Sequence, residues 1–258
     1  MEYLFDCWKR IEGILTPDLL LLLDYDGTLT PIVARPELAV LSDEMREVLK
    51  QASKCYTVGI ISGRSLENVK DLVKIGEVYY AGNHGFEISG PALELVKREA
   101  ERAKPVISAI CQEMTTRLKH ISGAIVENKG LTASVHYRLV ADADLQELNR
   151  IFDEVIKPHL ESGAIRVTRG KKVFEIRPNI DWDKGKAVLW MIDSFKAKGP
   201  PIYVGDDRTD EDAFLALKER DGITILVTEE AKKSNAKYFV KNVDEVKKFL
   251  EKLISLHV

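Results

Sequence analysis

Five consecutive leucines, Leu19 to Leu23, run straight into Asp24-Tyr25-Asp26-Gly27-Thr28-Leu29-Thr30. A short, wholly apolar run closed by turn residues suits a strand buried on both faces, near the middle of a parallel sheet. Asp24 and Asp26 stand two residues apart, so on a still-extended backbone both carboxylates leave the same side. Gly27 and Thr28 open a turn whose backbone N–H groups are expected to face an anion. Two acids at a strand end cost stability unless a partner uses them. A divalent cation beside a phosphate would use both, and the full string is far more restrictive than an isolated Asp-x-Asp in a solvated loop.

The rest of the chain bounds what surrounds that strand. At 258 residues with 45% hydrophobic content, it is long enough to bury a substantial core as one large domain or two smaller ones. A formal net charge of -3 gives no support to nucleic-acid or membrane-surface binding. Cys7, Cys55 and Cys111 are isolated and lack metal-ligand spacing, so they are expected to be reduced, mostly buried thiols, which favours the cytoplasm. The opening MEYLFDCWKR mixes acids and bases too early for a signal peptide. The longest aliphatic run is the five leucines, far short of the roughly 20 residues that span a membrane.

Apolar spacing predicts a short helix over residues 3 to 15, then the leucine strand. Ser42 reads as the cap of a helix with Met45, Val48, Leu49 and Ala52 on one face, and Ser65 as the cap of another. Strands are expected at Tyr56 to Ile61, ending in Ser62-Gly63-Arg64, and at Val78 to Ala81, ending in Gly82-Asn83-His84-Gly85-Phe86-Glu87. Such alternation implies a doubly wound α/β fold with functional loops at the carboxyl ends of parallel strands. From about residue 94 the pattern changes to a long helical segment through Leu118, a hairpin around Lys129-Gly130, a helix from about Ala143 to Leu160, and a hairpin around Arg169-Gly170. This predicts an α+β domain inserted at 94–180 into a core made of 1–93 and 181–258. Asp181-Trp182-Asp183-Lys184-Gly185-Lys186 returns the chain to a helix stopping at Gly199. Three strands at Ile202 to Val204, Ile223 to Val227 and Tyr238 to Val240 follow, then a last helix.

Four separated clusters suit one reaction. Asp24 is the candidate nucleophile toward phosphorus, and Asp26 the candidate acid that protonates the leaving oxygen and later activates water. Ser62 donates to a phosphoryl oxygen in this reading, and Lys184 supplies positive charge. Asp206 or Asp207, with Asp210, would complete the oxygen ligands of a magnesium ion. In isolation Ser62-Gly63-Arg64 reads as a turn and helix cap, Lys184-Gly185 as a helix start, and the acids after Asp206 as a solvated helix N-terminus. Their joint occurrence, in order after strands or opening helices, carries the argument.

DYDGTLT, ISGR, DKGKA and GDDRTDE resemble, in order, the motifs of the haloacid dehalogenase superfamily of phosphotransferases. With GNHGFE at 82–87, VENKGLTASVHYR at 126–138 and KKVFEIRP at 171–178, nearly the whole chain looks like the trehalose-6-phosphate phosphatases. The resemblance implies a Rossmann-like core with an inserted cap, an aspartyl-phosphate intermediate, and magnesium held by Asp24, the Asp26 carbonyl and Asp206. It also implies sugar recognition by Glu127, Lys129, Arg138 and Glu175 in the cap, with Arg64, Asn83 and His84 lining the core side. Glu127 and Lys129, two apart on a hairpin strand, can share one face. His136 reads as a satisfied structural histidine. Trp182 suits a hinge position or plain core burial.

The expected activity is therefore magnesium-dependent release of trehalose and phosphate from trehalose 6-phosphate, by a monomer for which any synthase partner would be a separate polypeptide. Rival readings are a phosphatase for glucosyl-3-phosphoglycerate or sucrose 6-phosphate, a non-catalytic sugar-phosphate sensor, and a phosphomutase. Intact Asp24, Asp26, Lys184 and Asp206 argue against the sensor.

Overall fold

A computed structural model describes residues 1–196 and 198–257 of the chain. The strands, in chain order, are β1 (Glu2–Tyr3), β2 (Leu20–Leu23), β3 (Thr57–Ile61), β4 (Tyr79–Gly82), β5 (Glu87–Gly90), β6 (Leu93–Val96), β7 (Ile125–Asn128), β8 (Ala133–His136), β9 (Ile165–Gly170), β10 (Val173–Pro178), β11 (Ile202–Gly205), β12 (Ile223–Val227) and β13 (Tyr238–Val240). They form a nine-stranded sheet ordered β1-β13-β12-β11-β2-β3-β4-β5-β6 and a four-stranded sheet ordered β7-β8-β10-β9. The chain divides into two compact units, Met1–Leu95 with Trp182–Val258, and Val96–Asp181.

In the first unit every strand from β13 across to β4 runs parallel to its neighbours, and β5 pairs antiparallel with β4. The leucine run explains the layering. Leu21 and Leu23 belong to a core with Met45, Leu49, Phe249 and Leu250 from the helices Asp43–Cys55 and Val243–Ile254. Leu20 and Leu22 belong to the opposite core with Val188, Met191 and Phe214 from the helices Lys184–Phe195 and Glu211–Lys218. A strand with helices on both faces has no polar side, which is why its sequence does not alternate. From β2 the chain winds outward through β3 and β4, then returns to β11 on β2's other flank and winds outward again. The β2–β11 pair is thus the switch point of the sheet, where doubly wound folds place ligands.

The second unit packs the helices Lys104–Arg117 and Leu145–Glu161 on an antiparallel sheet, with a core of its own that includes Ile107, Ile110, Phe152, Val155, Phe174 and Ile176. Phe152 stacks on Phe174 with centroids 4.0 Å apart.

Several sequence expectations are corrected. In place of the helix expected over 3–15, residues 2–12 form the two-residue strand β1, a 3-10 turn over Leu4–Cys7 and a short helix over Trp8–Glu12, because Glu2 and Tyr3 pair with Tyr238 and Phe239 at the sheet edge. The helix expected from residue 94 to Leu118 is instead β6, a single turn at Arg98–Glu101 and the helix Lys104–Arg117, with Pro105 in its first turn. The helix expected to stop at Gly199 ends at Phe195, with Lys196 in the left-handed region at φ 53°. Ala197, in that stretch, lies outside the described residues. No helix among the described residues is long and apolar enough to cross a membrane.

Candidate active site

Asp24 extends β2, its amide bonded to the Val204 carbonyl at 2.9 Å, and is 5% exposed. Gly27 has φ 85°, and a Cβ there would lie 2.3 Å from Asp206 Oδ2, so glycine is what lets the Asp206 carboxylate approach this loop. The Gly27 and Thr28 amides, expected to face an anion, are used within the turn, on the Thr30 carbonyl at 2.8 Å and the Tyr25 carbonyl at 3.4 Å. The tight turn needs those bonds to hold its shape. Thr28 Oγ1 is buried, with no hydrogen-bond partner among the described residues.

Lys184 opens the helix Lys184–Phe195, whose cap Asp183 accepts from the Lys186 amide at 2.8 Å. Its Nζ donates to Asp24 Oδ1 at 2.6 Å and to Asp210 Oδ1 at 2.7 Å, and the lysine is 3% exposed. Asp210 accepts three further bonds, from the Tyr203 hydroxyl at 2.7 Å and from the Asp206 and Asp207 amides at 2.9 Å each. It is the hub that ties Lys184 to the loop after β11. Asp207 caps that loop, its Oδ1 on the Arg208 amide at 2.7 Å. Oxygens of Asp24, Asp206 and Asp210 lie within 4.8 Å of one another, all three residues buried. Burial drives the Asp24 carboxyl well above its ordinary pKa, against the attraction of Lys184 and reinforced by Asp210 and Asp206. Burial works the other way on Lys184, but Asp210 and Asp24 outweigh it and raise its pKa. Lys184 thus lies between Asp24 and Asp210 with Asp206 beside them, and acids gathered this closely offer hard oxygens that could hold a divalent cation.

β3 and β4 deliver the neighbouring loops. Ser62 is buried, and its Oγ accepts from the Arg64 amide at 3.1 Å. Arg64 donates to both Asp26 oxygens, from Nε at 2.8 Å and from Nη2 at 2.7 Å, so the structure couples it to Asp26. Asn83 and His84 adopt φ 50° and 58°, followed by Gly85 at 90°. Two consecutive non-glycine residues in the left-handed region are costly, and such strain gathers at functional sites. The turn is braced on all sides. The Asn83 amide bonds the Arg64 carbonyl at 2.6 Å and the His84 amide the Ser62 carbonyl at 2.9 Å. The Asn83 side chain donates to Glu87 at 2.8 Å, and the buried Trp182 indole to the Gly85 carbonyl at 2.9 Å. His84 lies so close over Gly63 that a Cβ there would sit 2.7 Å from its ring.

In the second unit, register aligns Glu127, Ser134, Glu175 and Thr168 in one row across β7, β8, β10 and β9. Lys129 Nζ stands 3.8 Å from Glu127 and 3.7 Å from Glu175, Ser134 donates to Glu175 at 2.9 Å, and His136 Nε2 lies 2.9 Å from Glu127. Burial would raise the Glu127 pKa, but Lys129 and His136 together lower it. Glu127, Lys129 and Glu175 are therefore brought together. Arg138 stands beyond the end of β8, its guanidinium on the Lys171 carbonyl at 2.9 Å. Sequence reasoning missed Tyr203 and Ser134. A tyrosine in an otherwise apolar central strand just before Gly205-Asp206 was the available signal, since a buried hydroxyl needs a partner.

Comparison with known proteins agrees with this architecture. The family described as Trehalose-phosphatase matches residues 22–244. Two relatives from Oryza sativa subsp. japonica, called probable trehalose-phosphate phosphatase 3 and probable trehalose-phosphate phosphatase 2, are 40% and 42% identical to the chain. The matches cover 93% and 92% of it and 70% and 68% of the relatives. The solved C-terminal domain of C. albicans trehalose-6-phosphate phosphatase superposes with a TM-score of 0.80 at 22% identity, covering 98% of this chain and 95% of that one, a likeness of fold. On the family match over most of its length and on the identity to these relatives, the chain belongs to the trehalose-phosphatase family and is a phosphatase.

Proposed function

We propose that the protein hydrolyses trehalose 6-phosphate through an aspartyl-phosphate formed on Asp24, with a magnesium ion as cofactor. The observation that carries the reading is the buried meeting of Asp24, Lys184, Asp206 and Asp210 at the sheet's switch point. The substrate follows from the names of the relatives, and its sugar would be read by the polar row of Glu127, Lys129 and Glu175.

Asp24 attacks phosphorus with a carboxylate oxygen as the bond to the sugar oxygen breaks, and Asp26 gives that oxygen its proton. Asp26 then takes a proton from the water that attacks the acyl phosphate, releasing inorganic phosphate and restoring both acids. Lys184 and the Ser62 hydroxyl offset the charge on the phosphoryl oxygens. Asp24, the Asp26 carbonyl and Asp206 would hold the cation, an oxygen set that suits magnesium. When bound, it supplies the charge that lets two anions approach. With four bonds already on its carboxylate, Asp210 instead holds Lys184 and the loop in place.

The test is phosphate release from trehalose 6-phosphate, sucrose 6-phosphate, glucosyl-3-phosphoglycerate and glucose 6-phosphate, with magnesium and with a chelator. Strong preference for trehalose 6-phosphate that vanishes with chelator is the expected result. Comparable turnover of several substrates would remove the substrate assignment, and turnover indifferent to chelator the cofactor.

A further inference from the structure

We infer that Arg64 is a positioning residue for Asp26, fixing the plane of the carboxylate through which protons pass, rather than a ligand of the sugar phosphate. The inference rests on the acid–base reading of Asp26 above.

The geometry is a fork on a fork. Nε and Nη2 of one planar guanidinium each meet a different oxygen of Asp26, at 2.8 and 2.7 Å, which sets both the direction and the rotation of the carboxylate. Asp26 needs such a constraint, because its side chain is 43% exposed on a loop while that of Arg64 is 7% exposed. Arg64 is itself held from several directions. Nη2 also donates to the Pro36 carbonyl at 2.8 Å, Nη1 donates to Asn68 Oδ1 at 2.9 Å, and Cζ lies 5.4 Å from the Tyr25 ring centroid. Tyr25 is fully buried and anchored by its hydroxyl on the Ala39 carbonyl at 2.8 Å. A guanidinium with these four bonds to protein acceptors is built into the core as a fixed template.

The template leaves the chemistry open. Each carboxylate oxygen has lone pairs beyond the one that Arg64 engages. A proton leaves Asp26 for the sugar oxygen as the phosphorus–oxygen bond breaks. It is replaced from water as the water oxygen bonds to phosphorus, while Arg64 keeps its protons throughout. Misplacing a reacting group by about 1 Å costs on the order of 100-fold in rate, so the contribution of Arg64 belongs in kcat.

The experiment is steady-state kinetics of the full chain with magnesium and trehalose 6-phosphate. Arg64→Ala is expected to lower kcat by about 100-fold with KM little changed. Guanidinium chloride, kept far below unfolding concentrations, is expected to restore part of kcat to Arg64→Ala and none to Asp26→Asn. The double variant should be no slower than Asp26→Asn alone, the signature of one residue acting through another. Arg64→Lys keeps the charge but cannot span both oxygens, so it should keep the melting temperature and KM and still lose most of kcat, which covers the case in which Arg64→Ala fails to fold. A raised KM with kcat intact, or losses that multiply in the double variant, would overturn the inference. Normal turnover by Asp26→Asn would remove the acid–base reading itself and this inference with it. An inactive Asp26→Asn beside unimpaired Arg64 variants would remove only the inference.

Discussion

At the residue scale the centre of the molecule is a charge imbalance. Lys184 is bonded to both Asp24 and Asp210, two buried carboxylates on one lysine. Taking away the cation leaves buried anions uncompensated, so Lys184→Ala is expected to destabilise the chain by about 3–5 kcal/mol and abolish turnover. Asp24→Asn removes one of the crowded anions and leaves Lys184 its bond to Asp210, so turnover should vanish while the melting temperature is held or rises. Thermal melts beside phosphate-release assays separate the two, and a fall of equal size in both would contradict the imbalance. Glu127 carries a related prediction. Lys129 and His136 hold it below its ordinary pKa despite burial, so it contributes stability that is present above its unfolded value and lost as pH falls through the folded one. The melting-temperature gap between the parent and Glu127→Gln should therefore hold above the ordinary glutamate value of 4.5 and narrow as pH falls below it.

At the scale of elements, two helix caps do different work with the same bond. Ser42 Oγ accepts from the Met45 amide at 3.2 Å, on a helix whose face packs into the core. Asp183 accepts from the Lys186 amide at 2.8 Å, on the helix whose first residue is Lys184. Each substitution by alanine should cost about 1 kcal/mol. Only Asp183→Ala should also lower kcat, because its cap sets where Lys184 begins, and equal kcat in both variants would show that the cap and the lysine are uncoupled. Elements like these were legible in the sequence because the local signals agreed. Ser42 preceded a 3.6-residue apolar spacing, and Leu20 to Leu23 lacked a polar face as a doubly covered strand must. The illegible elements owe their conformation to distant partners. Glu2 and Tyr3 are a strand only because β13 offers an edge, and β5 and β6 flank Ala92 at φ 55°, a conformation the residue type does not announce. The same distinction divides the site. Asp24, Lys184 and Asp206 were readable as motifs, whereas the bonds of Arg64 to Asp26 and of Tyr203 to Asp210 join residues far apart in the chain or hidden in an apolar strand.

At the scale of the whole molecule, each unit has its own sheet and its own apolar packing, and each carries a polar cluster. The first unit holds Asp24, Lys184, Asp206 and Asp210 in one buried cluster at the switch point of its parallel sheet. The second holds a row of carboxylates bridged by Lys129 on a four-stranded sheet whose other residues feed a separate core. If chemistry belongs to the first and sugar recognition to the second, a change in the row should be felt only by substrates with a sugar to recognise. Glu175 makes that test clean, since Ser134 donates to it at 2.9 Å and Lys129 lies 3.7 Å away, within the same unit. Glu175→Ala is expected to raise KM for trehalose 6-phosphate about tenfold or more, the worth of a charged hydrogen bond. Hydrolysis of a small aryl phosphate, which presents no sugar hydroxyls, should be unchanged. Equal losses on both substrates would mean that Glu175 supports the phosphoryl chemistry itself, and the division of labour between the units would have to be abandoned.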